Sequence, residues 1–212
     1  MEAYGLTGNI GCGKSTVAKI LAKFKGVAVF DCDQISKELM SSGRYIKEIN
    51  TILQDNVFDI THGNRPDLPK IAKIIFSHPE RKMALEKFIH PFVWQEVEQQ
   101  VNAQDGKKLC VVESAIIFET RNQDRFTDII TVTCNQVEQL RRLRENRKMS
   151  EDQIKARIVQ QVPSSYKEKN ARYVINTDCS PEQLEQRVES LYRQLRFRNW
   201  RQLKNNSRLF LT

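Results

Sequence analysis

Long apolar runs are missing from the sequence. No segment approaches the roughly 18 consecutive apolar residues that a bilayer-crossing helix needs. The amino terminus passes from Met1 straight into a strand-like segment, with neither the charged nor the apolar region of a secretory leader, so a cytoplasmic location is expected. Histidine is scarce, three in 212 residues, and none stands in a metal-binding repeat with another His or Cys. The five cysteines, Cys12, Cys32, Cys110, Cys134 and Cys179, form an odd set without a Cys-x-x-Cys pair. They suggest neither a disulfide framework nor a zinc site, and no protein-ligated transition metal is expected. Low-complexity tracts and internal repeats are also lacking, which sets a disordered chain aside.

What is present is ordinary for a globular protein: 40% hydrophobic and 28% charged residues. The length suits one α/β core with a small inserted lobe rather than two large domains. A net charge of +8 and a pI near 9.3 point to an anionic partner. Nucleic acid, a membrane surface and a polyphosphate substrate fit that charge equally well.

Glu2–Leu6 and Val27–Asp31 read as short strands around an amphipathic helix whose apolar residues Val17, Ile20, Leu21 and Phe24 share one face. Leu109–Glu113, Ile129–Thr133 and Tyr173–Asn176 are further apolar, β-branched runs separated by helical stretches. The pattern predicts an α/β fold with a five-stranded parallel sheet covered by helices. A helical lobe, with no strand signal comparable to these, is expected from about Gln34 to Lys107, and a mobile lid from about Arg144 to Lys169. These leave a core of about 1–33, 108–143 and 170–200 in a single domain. Ser150-Glu151-Asp152-Gln153 reads as a capping box that restarts a helix, and Ser180-Pro181-Glu182-Gln183 as another that opens the closing helix. The closing helix carries a stripe of Leu184, Val188, Leu191 and Leu195, and Arg196–Arg208 is then expected to turn basic and irregular.

Gly8-Asn9-Ile10-Gly11-Cys12-Gly13-Lys14-Ser15 matches G-x-x-x-x-G-K-[ST] between a strand and a helix, the setting that a phosphate-binding loop requires. Loop amides of Gly8, Gly11, Cys12 and Gly13, with Lys14, Ser15 and Thr16, are expected to hold the phosphates of ATP; the Ser15 hydroxyl is expected to reach Mg²⁺. Asp31-Cys32-Asp33 follows the second strand at its carboxyl end, where ligands of parallel sheets bind, so either carboxylate suits a base for an attacking hydroxyl. The alternative is that an Asp here only caps the next helix at Gln34. Glu113 ends an apolar strand, the form of an acid linked to Mg²⁺ through water. Arg141, Arg142, Arg144, Arg147 and Lys148 crowd ahead of the lid, where a charge run is a solvated face unless one cation closes over the phosphates. Cys12 sits beside a helix N-terminus and Lys14, surroundings that depress a thiol pKa.

With these residues in place, the chain resembles dephospho-coenzyme A kinases along nearly its whole length. Gly5-Leu6-Thr7-Gly8 leads into the loop as in that family, and Asp31-Cys32-Asp33 resembles its Asp-Ala-Asp. Leu85-Glu86 with Ile89-His90-Pro91 resembles its Leu-Glu…His-Pro segment, and Glu113–Glu119 its strand ending in Leu-Leu-Phe-Glu. Gln139, Arg142 and Leu143 resemble the residues leading into its lid, and Arg157-Ile158 with Gln161 the helix beyond. The chain departs from the family pattern in Ala115 for Pro, Asn146 at the lid Arg with Arg147 one place later, Arg172 for Asp, and Thr177 for Asn. The resemblance implies phosphoryl transfer from MgATP to the ribose 3′-hydroxyl of dephospho-coenzyme A. Catalysis would fall to Lys14, Asp33, Arg147 and Arg142, and acceptor contacts to Asp31, Asp33, Arg65, His90 and Glu113. A nucleoside monophosphate or other metabolite kinase on the same core is the alternative, and a nucleic-acid-binding protein a more distant one. A GTP switch is set aside because Asn135-Gln136-Val137-Glu138 stands where Asn-Lys-x-Asp would read guanine.

Overall fold

The computed structural model describes residues 2–59, 65–104 and 108–209, with side chains as far as residue 198. The chain divides into two compact units, one made of residues up to Phe30 and from Val101 onward, the other of Asp31–Gln100.

The first unit is built on β1 (Tyr4–Gly8), α1 (Lys14–Ala22) and β2 (Val27–Asp31), and later on β5 (Leu109–Glu113), β6 (Asp128–Thr133) and β7 (Tyr173–Asn176). The strands lie in the order β2-β5-β1-β6-β7, and β1 runs parallel to both β5 and β6. Every residue of β1 and of β5 is buried, as central strands of a sheet covered on both faces must be. Sequence pattern placed the first strand at Glu2–Leu6; pairing carries it two residues further, because Thr7 and Gly8 stay in register with Thr131 and Val132. Gly8 is required there, since a Cβ would lie 2.2 Å from the Val132 carbonyl oxygen. Strand order reverses at β1, so the loop that follows it opens into the crevice where parallel sheets bind ligands.

Three further helices, α6 (Gln136–Glu145), α7 (Glu151–Val159) and α8 (Ser164–Asn170), follow β6, and α9 (Pro181–Leu209) closes the chain. Both predicted capping boxes form: Ser150 and Gln153 bond each other's backbone, and so do Ser180 and Gln183. Leu184, Val188, Leu191 and Leu195 pack with Val17 and Leu21 of α1 on the sheet, and Phe24 stacks on Tyr192 at 4.4 Å. Each such buried leucine stabilises the layer by roughly 1.5–3 kcal/mol. The helix continues to Leu209, where irregular chain was expected. α8, which the expected lid included, is fastened into the core by Lys167, whose side chain is fully buried. Ahead of the Ser150 cap the helix breaks: α6 stops at Glu145, and Lys148 takes a positive φ of 49°.

The second unit contains α2 (Cys32–Ser41), α3 (Ile46–Leu53), β3 (Phe58–Asp59), β4 (Arg65–Pro66), α4 (Leu68–Ser77) and α5 (Pro79–Asn102). Ile49, Leu53, Val57, Phe58, Ile71 and Leu85 form its core. The expected lobe boundary at Lys107 lies outside the described residues. An antiparallel pair, β3–β4, stands among these helices, its two residues per strand too few to leave an alternation in the sequence. Among the described residues no helix is long and apolar enough to cross a membrane.

Candidate active site

The loop between β1 and α1 turns through Gly11 and Gly13, with φ of 82° and 88°. Gly13 is the left-handed N-cap of α1, so Lys14, Ser15 and Thr16 fill the first helical turn, whose amides point along the axis toward an anion. Distant residues grip the turn from outside. Ile10 donates its amide to Gln161 Oε1 at 2.8 Å and accepts Gln139 Nε2 at 2.8 Å, and Asn9 Nδ2 donates to the Val162 carbonyl. The family pattern marked Gln139 and Gln161 without a role; the structure shows them clamping one loop residue from both sides.

Ser15 Oγ donates to Glu113 Oε1 at 2.8 Å. The two residues come from α1 and the end of β5, and Glu113 is buried. A hydroxyl oxygen beside a carboxylate is a hard-donor pair suited to Mg²⁺, either directly or through its water. The donor set and the glycine turn therefore fit MgATP.

The arginines separate by contact. Arg142 is half-buried, donates to Glu138, to Thr177 Oγ1 at 2.7 Å and to the Thr177 carbonyl at 2.9 Å, and would lie 3.4 Å from a Cβ at Gly13. Thr177 in turn donates to the Cys12 carbonyl at 3.0 Å, which ties Arg142 to the phosphate loop through one buried hydroxyl. Sequence had marked Thr177 only as a departure from Asn. Arg141 and Arg142 together hold the Glu138 carboxyl down to about 2. Arg144 is engaged by Glu151 at 2.6 Å on the surface. Arg147, just past the end of α6, is exposed.

The Cys12 amide donates to the Asn9 carbonyl at 3.1 Å, and its side chain packs in the core, where it meets Cys134 at 3.2 Å. Cys134 donating to it, with Lys14 and Arg142 near, lowers the Cys12 pKa to about 7 against the opposing effect of burial.

A second buried contact escaped the sequence pattern entirely. Lys167 Nζ lies 2.8 Å from Glu119 Oε1 and 2.9 Å from the Ala115 carbonyl, and Glu119 accepts the Val162 amide. Burial pushes the Lys167 pKa down while Glu119 opposes the shift. Through Val162 this pair supports the segment that grips Asn9 and Ile10.

Asp31, Asp33, Arg65 and His90 belong to the second unit. Asp31 is the N-cap of α2, accepting the amides of Asp33 and Gln34, so the capping role falls to Asp31. The Asp33 carboxylate is exposed in the first turn. Arg65 sits exposed on β4 opposite Asp59. His90 is half-buried in α5, and burial holds its imidazole below the usual value.

A family model described as dephospho-CoA kinase matches residues 3–183 of this chain. The chain belongs to the dephospho-CoA kinase family. The dephospho-CoA kinase of Bdellovibrio bacteriovorus is 32% identical over 198 residues, covering 92% of this chain and 96% of its own. That of Chlorobaculum tepidum is 34% identical over 196 residues, with 90% and 93% covered. A Thermus thermophilus crystal structure superposes with a TM-score of 0.75 at 29% identity, covering 92% of this chain and 97% of that one. Matches of this extent take in the loop, both units and the helices after β6, so membership in the dephospho-CoA kinase family rests on no single motif.

Proposed function

We propose that the chain phosphorylates the ribose 3′-hydroxyl of dephospho-CoA, using the γ-phosphoryl group of ATP. The observation that carries this reading is the Ser15–Glu113 contact of 2.8 Å at the first turn of the loop helix, which supplies the acid and hydroxyl of a phosphoryl-transfer site. Loop amides and Lys14 hold the β- and γ-phosphates. Mg²⁺, when bound, neutralises charge on the phosphate oxygens, and Ser15 with Glu113 would hold it. Asp33 orients the acceptor hydroxyl and takes its proton, a role supported by Asp31 being committed to the cap while Asp33 is exposed. Arg142 and Arg147 balance the charge that develops on the transferred group. The segment Gln34 to Lys107 serves as acceptor-binding lobe, and the part of Arg144–Lys169 that precedes α8 as lid, since Lys167 fastens α8 into the core. The cationic surplus of the chain suits two polyanionic substrates.

Purified protein with MgATP and a panel of dephospho-CoA, nucleoside monophosphates, shikimate and gluconate tests the reading by ADP release. Turnover is expected with dephospho-CoA and 3′-phosphorylation of its ribose by mass spectrometry. Turnover confined to another acceptor overturns it.

A further inference from the structure

We propose that Cys12 and Cys134 form a redox modification site, oxidised by hydrogen peroxide to an intramolecular disulfide that reversibly disables the phosphate loop. The juxtaposition is a product of topology. Gly8 of β1 pairs with Val132 of β6, so the chains that leave these strands side by side bring Cys12 and Cys134 together across 122 residues of sequence. Their Sγ atoms stand 3.2 Å apart, and a disulfide needs about 2.05 Å. Closure therefore moves the sulfurs together by about 1.1 Å, within the reach of small side-chain and loop shifts.

The Cys134 S–H donates to the Cys12 sulfur. The hydrogen bond from Cys134, with Lys14 and Arg142, favours the Cys12 thiolate, while that same bond, burial and Asp178 keep Cys134 protonated. Cys12 is thus the nucleophile and Cys134 the resolving thiol. Cys134 is also the partly exposed member, so the pair is reached from its side of the contact. In the first step the Cys12 thiolate attacks one peroxide oxygen, the O–O bond breaks, and hydroxide leaves, giving a sulfenic acid. Hydroxide takes the Cys134 proton to form water. The Cys134 thiolate then attacks the Cys12 sulfur, the S–O bond breaks, and a second hydroxide leaves. Two sulfurs are oxidised by two electrons and one peroxide is reduced.

The consequence follows from where Cys12 sits. Its backbone lies between Gly11 and Gly13, its amide donates to the Asn9 carbonyl, and its own carbonyl accepts Thr177. A shift of about 1 Å at this residue displaces the amides that meet phosphate, and misplacement of that size lowers rates by about 10²-fold. The loss of activity rests on the phosphoryl-transfer reading above; the disulfide itself does not.

The test treats the full chain with hydrogen peroxide, blocks remaining thiols, and maps peptides by mass spectrometry without reduction. A Cys12–Cys134 linked peptide is expected, together with weaker binding of a fluorescent ATP analogue, about 10²-fold lower kinase activity, and recovery of both by dithiothreitol. In Cys134→Ser the linked peptide is absent and peroxide inactivation is no longer reversed by dithiothreitol, because Cys12 proceeds to the sulfinic acid. The proposal is overturned if oxidised wild-type protein yields no linkage between the two cysteines, or if it yields the linkage while nucleotide binding is unchanged. Peptide mapping and nucleotide binding need no acceptor, so a failure of the acceptor assignment is read separately.

Discussion

Replacing Lys167 with Met removes a cation from a place that water does not reach. The Lys167 side chain is fully buried and that of Glu119 is 12% exposed, at 2.8 Å separation. The methionine fills much of the volume but leaves the Glu119 carboxylate without its counter-charge, while Glu119 Oε2 is already buried without a hydrogen bond among the described residues. Breaking one side of such a pair costs about 3–5 kcal/mol, and the Ala115 carbonyl loses its donor as well. A net loss of about 3–5 kcal/mol is expected. Against a native stability of about 5–15 kcal/mol, that is a large fraction. In urea unfolding followed by circular dichroism the midpoint should fall by about 1–2 M. Glu119→Gln alone should also destabilise, since it leaves an ammonium buried, and Lys167→Met with Glu119→Gln should be less unstable than the sum by about 2 kcal/mol or more. Because Glu119 holds the Val162 amide and the Val162 carbonyl holds Asn9, the folded fraction of Lys167→Met should also bind ATP more weakly. A loss below about 1 kcal/mol, strictly additive with Glu119→Gln, refutes the reasoning.

Three other perturbations address the chemistry. Lys14→Ala should lower kcat by about 10²–10³ with an unchanged circular dichroism spectrum; retention of more than about a tenth of the activity contradicts the role given to the loop. Asp33→Asn keeps the shape and removes the charge, so kcat should fall by roughly 10²–10⁴ at nearly constant ATP affinity, and an unaltered kcat returns the role to another group. Among the arginines, Arg142→Ala and Arg147→Ala should lose up to about 10³ in kcat, whereas Arg144→Ala should stay within a fewfold, because its exposed ion pair with Glu151 contributes about 0–1 kcal/mol. The reverse order of effects would show that the lid register is misassigned.

Much of this molecule was determined locally, and local determinants are legible in sequence. The phosphate loop needs glycines, a lysine and a serine at fixed spacing, and the two capping boxes need residues three apart. The apolar stripe of α9 and the five runs that became the main sheet follow from periodicity. Asp31 illustrates the limit: cap and acceptor-site base ask for the same residue type in the same place, and only the bonds to Asp33 and Gln34 decide for the cap. Contacts made across the fold were not legible, even where the family pattern marked one of the residues. Gln139 and Gln161 reach Ile10 from 129 and 151 residues away, Lys167 meets Ala115 and Glu119, and Thr177 bridges Arg142 to Cys12. The same holds for the Cys12–Cys134 contact, which a count of scattered cysteines could not disclose. Helix and strand periods encode which face of an element is buried, but which residues then meet is set by strand order, here the pairing of β1 with β6.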